Sequence, residues 1–164
     1  MWYPIIFVLA VFLLLVLVVR RALWLGPAEE EQEYTPKAGA PDDMISTWEK
    51  AEYLYNDRKY FAAEKWFRDV VHHQPDHDKA WARLGVIALS QKRYRPAIEA
   101  LQKSIVLNPN IPSRYYNLSL AYLLIDEFED ANNAIDKALA DDPNRDNYKE
   151  LKQKIKLASI KKRY

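Results

Sequence analysis

The order of apolar and polar positions divides this chain into three stretches. From Ile5 to Val19 the run IIFVLAVFLLLVLVV contains no polar residue, so no face of a helix or strand differs from any other. With Trp2, Tyr3 and Pro4 the uncharged apolar run after Met1 reaches 18 residues, roughly 27 Å of helix, close to a bilayer hydrocarbon core. Residues 26–43, GPAEEEQEYTPKAGAPDD, have no apolar period and read as a flexible acidic and proline-bearing tether. From residue 44 onward apolar positions return at helical spacing, and the whole pattern recurs every 34 residues.

Five slots align in three units. Pro75, Pro109 and Pro143 mark the first, Tyr60, Tyr94 and Phe128 the second, and Ala63, Ala97 and Ala131 the third. Phe67, Leu101 and Ile135 fill the fourth, and Ala51, Gly85 and Ser119 the fifth. Small residues on facing helices let the axes approach, large ones fill the space between units, and proline stops each second helix. The pattern predicts helix pairs at 44–57 and 60–73, 78–91 and 94–107, and 112–125 and 128–141. Pro96 falls in a first helical turn, where a missing N–H costs little. A closing helix is expected at 145–162, with Tyr148, Leu151, Ile155 and Ala158 as its buried stripe.

These residues resemble the tetratricopeptide repeat. The second unit matches best, with Trp81, Leu84 and Gly85, then Ala97 and Leu101, then Pro109. The third has Tyr115, Leu118, Ser119, Tyr122, Ala131, Ile135 and Pro143, whereas the first carries Thr47 and Lys50 where the pattern has Trp and Leu. The expected fold is all-α: an N-terminal transmembrane helix at 1–25, a linker at 26–43, and an α-solenoid of three helix-turn-helix repeats at 44–143. The units run approximately 44–77, 78–111 and 112–145, and a basic capping helix occupies 144–164.

Charge refines this picture. The net charge is only +1, yet residues 144–164 hold eight basic against two acidic side chains. A solvated capping face is one reading. The other is contact with anionic lipid through Lys152, Lys156, Lys161, Lys162 and Arg163, together with Arg20 and Arg21 beside the apolar run. Those two arginines, with no charged side chain before the run, put residue 20 onward in the cytoplasm by the positive-inside rule, and Trp2, Tyr3 and Trp24 suit the interfaces. Gly26-Pro27-Ala28 leaves open a cleaved signal and an exported or periplasmic domain. The cluster lacks aromatic interleaving, so nucleic acid is not expected.

The resemblance implies a concave groove, lined by the first helix of each unit, that binds a peptide or amphipathic helix of another protein. Its candidate residues here are Trp48, Glu52, Tyr55 and Asn56 in the first unit, and Lys79, Ala82, Val86, Leu89 and Ser90 in the second. The third contributes Ser113, Tyr116, Asn117, Leu120 and Leu124. One subclass of the family holds a partner's C-terminal carboxylate with Lys, Asn and Arg. The matching places hold Trp48, Glu52, Arg83, Ser113 and Asn117, which do not form that clamp.

Chemistry enters last. The chain has no cysteine, three glycines and no phosphate-binding loop, so no enzymatic function and no cofactor are expected. Asp126, Glu127, Glu129 and Asp130 surround a turn and a helix start, where acids suit the helix dipole. HHQPDHD at 72–78 contains every histidine and is the one named site for a different class, a metal-dependent enzyme or metal sensor. The 34-residue register instead aligns it with LNPNIPS at 107–113 and DDPNRDN at 141–147, as punctuation between units with Asp76 capping the next helix.

Overall fold

The structure is a computed structural model and describes residues 46–163. The expected anchor at 1–25 and linker at 26–43 lie outside the described residues. Seven helices and no strand are present among those described: α1 (Thr47–Asn56), α2 (Tyr60–His73), α3 (Asp78–Ser90), α4 (Tyr94–Leu107), α5 (Pro112–Leu123), α6 (Phe128–Asp141) and α7 (Asp146–Arg163). Each odd helix pairs with the even helix after it, and each pair stacks on the next, α2 on α3, α4 on α5 and α6 on α7. None of these helices is long and apolar enough to cross a membrane.

The second helices keep their expected bounds, while the first helices are shorter. α1 starts behind Ser46, whose hydroxyl accepts from the Glu49 N–H at 3.2 Å while the Glu49 carboxylate accepts from the Ser46 N–H at 2.9 Å. This reciprocal cap satisfies two helix-end donors and sets the start of the helix. The ends at Asn56, Ser90 and Leu123, instead of 57, 91 and 125, have a shared cause. Arg58, Lys92 and Asp126, spaced by 34, are left-handed with φ of 60°, 59° and 61°. The next N–H then reaches back across the turn: Lys59 to the Leu54 carbonyl at 2.9 Å, Arg93 to Ala88 at 2.8 Å and Glu127 to Tyr122 at 3.0 Å. These bonds satisfy orphan carbonyls at the helix end and offset the cost, about 1 kcal/mol, of a left-handed residue bearing a side chain.

Within a unit the small residue decides the approach. A Cβ on Gly85 would lie 2.6 Å from Leu101 Cγ and 2.9 Å from Cδ2, closer than atoms can pack. At the same register Ala51 is buried, and the buried Ser119 hydroxyl donates to the Ala131 carbonyl at 2.7 Å across the helix pair.

Between units the third and tenth register positions carry the contact. Ala80, Arg114 and Tyr148 are all buried, as are Ile87, Ala121 and Ile155. α7 therefore behaves as the first helix of a fourth unit. It starts 34 residues after α5 and covers the third unit with Tyr148, Leu151 and Ile155, which join Ala131, Ile135 and Ala138 in one cluster. Ala158, expected in the same stripe, is only half-buried.

Arg114 introduces a charge at the junction of the second and third units. Its Nη1 donates to the Ser104 and Asn108 carbonyls at 2.9 and 3.0 Å, and its Nη2 to the Asp78 carboxylate at 2.5 Å. Asn108 donates to the same carboxylate, and the Ser104 hydroxyl to the Asp78 carbonyl. Burial pushes the Asp78 carboxyl up, but the bonds from Arg114 and Asn108 outweigh it and hold the group below its ordinary range. A depressed carboxyl stabilises the fold above its unfolded value and stops doing so as pH falls through the folded one.

Arg114→Ala is expected to cost about 3 kcal/mol in urea unfolding, because it strands the Asp78 charge and two carbonyls. It should also flatten, relative to wild type, the loss of stability that follows as pH falls below the ordinary carboxylate range. Gly85→Ala should destabilise by about 1–3 kcal/mol through contact with Leu101, against the direction of helix propensity. A stabilised Gly85→Ala protein would show that the helix pair can open without penalty.

Candidate peptide-binding groove

α3 touches α5 and α5 touches α7, so the faces of these helices away from the even helices form one continuous wall. Each such helix has two obligations. It packs on its own second helix and on the neighbouring unit, and only the remaining face can meet a ligand.

In the first unit this leaves little of the expected groove open. Trp48 lies with its ring centroid 4.5 Å from His77 and 5.5 Å from Phe67, filling the joint between α1, α2 and the start of α3. Tyr55 packs edge-on against Tyr60 at 5.4 Å and Phe67 at 6.1 Å. The Arg83 guanidinium covers the Tyr55 ring at 4.4 Å and donates from Nε and Nη2 to the two Glu52 carboxylate oxygens at 2.6 and 3.0 Å. This fork ties α1 to α3 and holds Glu52 and Arg83 against each other. Trp48 and Tyr55 thus give part of their surface to packing, and both remain half-buried. Asn56 is exposed.

The second and third units leave more. Lys79 and Ser90 are exposed, the Ser90 hydroxyl donating to the Ile87 carbonyl at 2.7 Å, and Ala82 and Val86 are half-buried. Leu89 rests on the cluster of Ile98, Leu101 and Leu118 while keeping part of its surface in solvent. In α5, Ser113 is exposed and Asn117 half-buried. The Tyr116 ring stacks on Tyr148 at 5.1 Å and 25°, and Leu120 packs against the same α6–α7 cluster. Those two residues are half-buried and give part of their surface to the closing helix. Leu124 remains 45% exposed. The Tyr148 hydroxyl is buried without a hydrogen-bond partner, so that junction lacks the polar satisfaction Arg114 gives the preceding one.

Two further apolar positions on the first helices were not expected. Leu123, half-buried on α5, and Leu157, 61% exposed on α7, are each 34 residues beyond the previous member of the row Tyr55, Leu89, Leu123, Leu157. The 34-residue register, continued into the closing helix, is the signal that identifies them.

The basic face of α7 is partly committed. Lys152 pairs with Asp136 at 2.6 Å and Lys162 with Asp126 at 3.0 Å. Lys156 and Lys161 are exposed, Arg163 ends α7, and Arg20 and Arg21 lie outside the described residues.

The histidines serve the turn. His77 Nδ1 accepts from the Ala80 N–H at 3.2 Å, so His77, and not Asp76 as expected, caps α3. His73 lies 3.5 Å from Asp69 within the last turns of α2. Among the described residues no group of three or more metal-type donors converges, and the metal alternative has no built site.

The tetratricopeptide repeat family model matches residues 78–111, the second unit. The peroxisomal targeting signal receptor of Yarrowia lipolytica is 38% identical over 56 residues, which cover 34% of this chain. The alignment spans only 9% of that receptor's length. Among solved structures, a double mutant of MamA RS-1 is 28% identical with a TM-score of 0.63, covering 71% of this chain and 64% of that one. The first TPR of Spaghetti (RPAP3), bound to the HSP90 peptide SRMEEVD, has a TM-score of 0.65 at 18% identity over 68% of this chain and 89% of that one. The second unit thus matches the tetratricopeptide repeat, and the described domain has the corresponding all-helical solenoid fold.

His77→Ala should cost about 1 kcal/mol in stability, through the lost cap and the Trp48 contact. Stoichiometric zinc should leave the melting temperature of the wild type unchanged. A zinc-dependent rise that His77→Ala removes would restore the metal reading.

Proposed function

We propose that this protein is a membrane-tethered adaptor whose helical repeats bind a peptide or amphipathic helix of another protein. The carrying observation is the set of partly or largely exposed apolar side chains on adjacent first helices, Val86, Leu89 and Leu123, with Leu124 at the end of α5, on a wall that packing leaves uncovered among the described residues. The solenoid fold supports the reading, as do two solved relatives of that fold bound to HSP90 and HSP70 peptides. Burying one Leu or Phe of a ligand contributes roughly 1.5–3 kcal/mol, so two or three anchors give about micromolar affinity after ordering costs.

The mode of capture differs from a carboxylate clamp, because Arg83 is engaged by Glu52 and the wall around it is apolar. The apolar run at 5–19 supplies the tether in this reading, with the repeats on the cytoplasmic side. Residues 26–43 then span roughly 22–25 Å and raise the local concentration of the domain near the bilayer. Of the basic residues of α7, Lys152 and Lys162 pair with Asp136 and Asp126, while Lys156 and Lys161 stay exposed.

A photo-crosslinking residue placed at Val86 or Leu124 in the full chain in membranes should capture a defined protein partner, and one at the exposed outer position Glu99 should not. Capture at Val86 should disappear in Leu124→Glu. Equal capture from Glu99, or capture indifferent to Leu124→Glu, would contradict the groove. Digestion of the repeats by protease added outside intact cells would contradict the cytoplasmic placement.

A further inference from the structure

The closing helix does more than seal the third unit. Its register places Leu157 with Leu123, Leu89 and Tyr55, and Lys154 with Leu120, Val86 and Glu52. At about 100° per residue, Leu157 lies opposite the buried Tyr148, and Lys154 and Lys161 flank it at i−3 and i+4 on the same face. Asp136, which holds Lys152 on the other flank, belongs to α6. The Leu157 face therefore points away from the second-helix layer and continues the wall.

Leu157 is 61% exposed, while Leu89 and Leu123 rest partly on core clusters, so the three form an apolar ridge with its base held in place. Lys154 and Lys161 are exposed and carry no ion pair among the described residues. At the opposite end Glu52 is already matched by Arg83, and the exposed carboxylates of α7, Asp146 and Glu150, lie about two or more turns before Leu157, whereas Lys154 and Lys161 lie about one turn from it. The groove next to Leu157 is thus positive in excess.

Spacing selects the shape of the ligand. Neighbouring first helices in direct contact lie about 8–10 Å apart, and residues seven apart on a helix advance about 10.5 Å on one face. In an extended strand, residues three apart cover about the same distance but point to opposite faces.

Resting on the groove reading above, we propose that α7 forms a fourth wall of the groove. The ridge Leu89, Leu123 and Leu157, with Lys154 and Lys161, takes an amphipathic helix of another protein whose apolar stripe is bordered by acidic residues.

The test uses the full chain in nanodiscs and two fluorescein-labelled synthetic amphipathic helices with the same leucine stripe, one bordered by glutamate and one by lysine. Fluorescence anisotropy should show binding of the acidic peptide and at least about tenfold weaker binding of the basic one. Leu157→Glu should weaken the acidic peptide about tenfold or more, and Lys154→Glu with Lys161→Glu should reverse the preference between the peptides. Leu157 and both lysines are exposed, so these variants should keep the wild-type melting temperature.

Loss of binding in Val86→Glu with no effect of Leu157→Glu would remove the fourth wall and leave the groove standing. Full binding in Val86→Glu would remove both. Failure of the wild type to bind the acidic peptide, or a Leu157-dependent binding to phosphatidylserine vesicles in place of the peptide, would overturn the proposal.

Discussion

A first helix in this array must be covered on two sides at once, by its own second helix and by the unit before it. Gly85 meets the first demand by removing a side chain, since even a Cβ would strike Leu101. Ile87, Ala121 and Ile155 meet the second, each fully buried at the tenth register position. The remaining properties follow from that double burial. The faces left over are narrow, they lie side by side, and together they make a wall that no described helix covers. In such a stack each unit depends only on its neighbours, so stability is a sum of units and junctions.

The junctions are not alike. The first is closed by Ala80, the second by Arg114 with its carbonyls and the Asp78 carboxylate, and the third by Tyr148 stacked on Tyr116. A buried guanidinium of this kind adds geometric definition more than net stability, because its desolvation offsets most of its attraction. Tyr148 buries a large ring, yet its hydroxyl has no partner. The middle junction is therefore sensitive to acid, through Asp78, and the last depends on apolar area.

How much of this could be read from the sequence depended on what a period can encode. The prolines, the alanines and the small residue at Ala51, Gly85 and Ser119 repeat, so helix pairing and most helix bounds were legible. The left-handed turn was not, because Arg58, Lys92 and Asp126 share a conformation while two are basic and one is acidic, and none is the glycine or asparagine that marks such a turn. Arg114 stands at a slot held elsewhere by Ala80 and Tyr148, so nothing in the period announces a charge network. Trp48, Tyr55, Tyr116 and Leu120 were placed on the right helices, but the register does not say how far a neighbouring side chain reaches across them. Conversely, Leu123 and Leu157 were available by counting, once the closing helix is taken as the first half of a fourth unit.

That identity of α7 links fold and function. An appended helix would merely shield Ile135, whereas a helix in register completes the core as a first helix does and, in the proposal, extends the wall with Leu157 and Lys154. Amide hydrogen exchange on the full chain carrying Ile155→Asp separates the two. The account predicts that protection falls in α7 and then in α5 and α6, and persists in α1 and α2, as nearest-neighbour coupling requires. Loss confined to α7, with α5 and α6 as protected as in wild type, would contradict it.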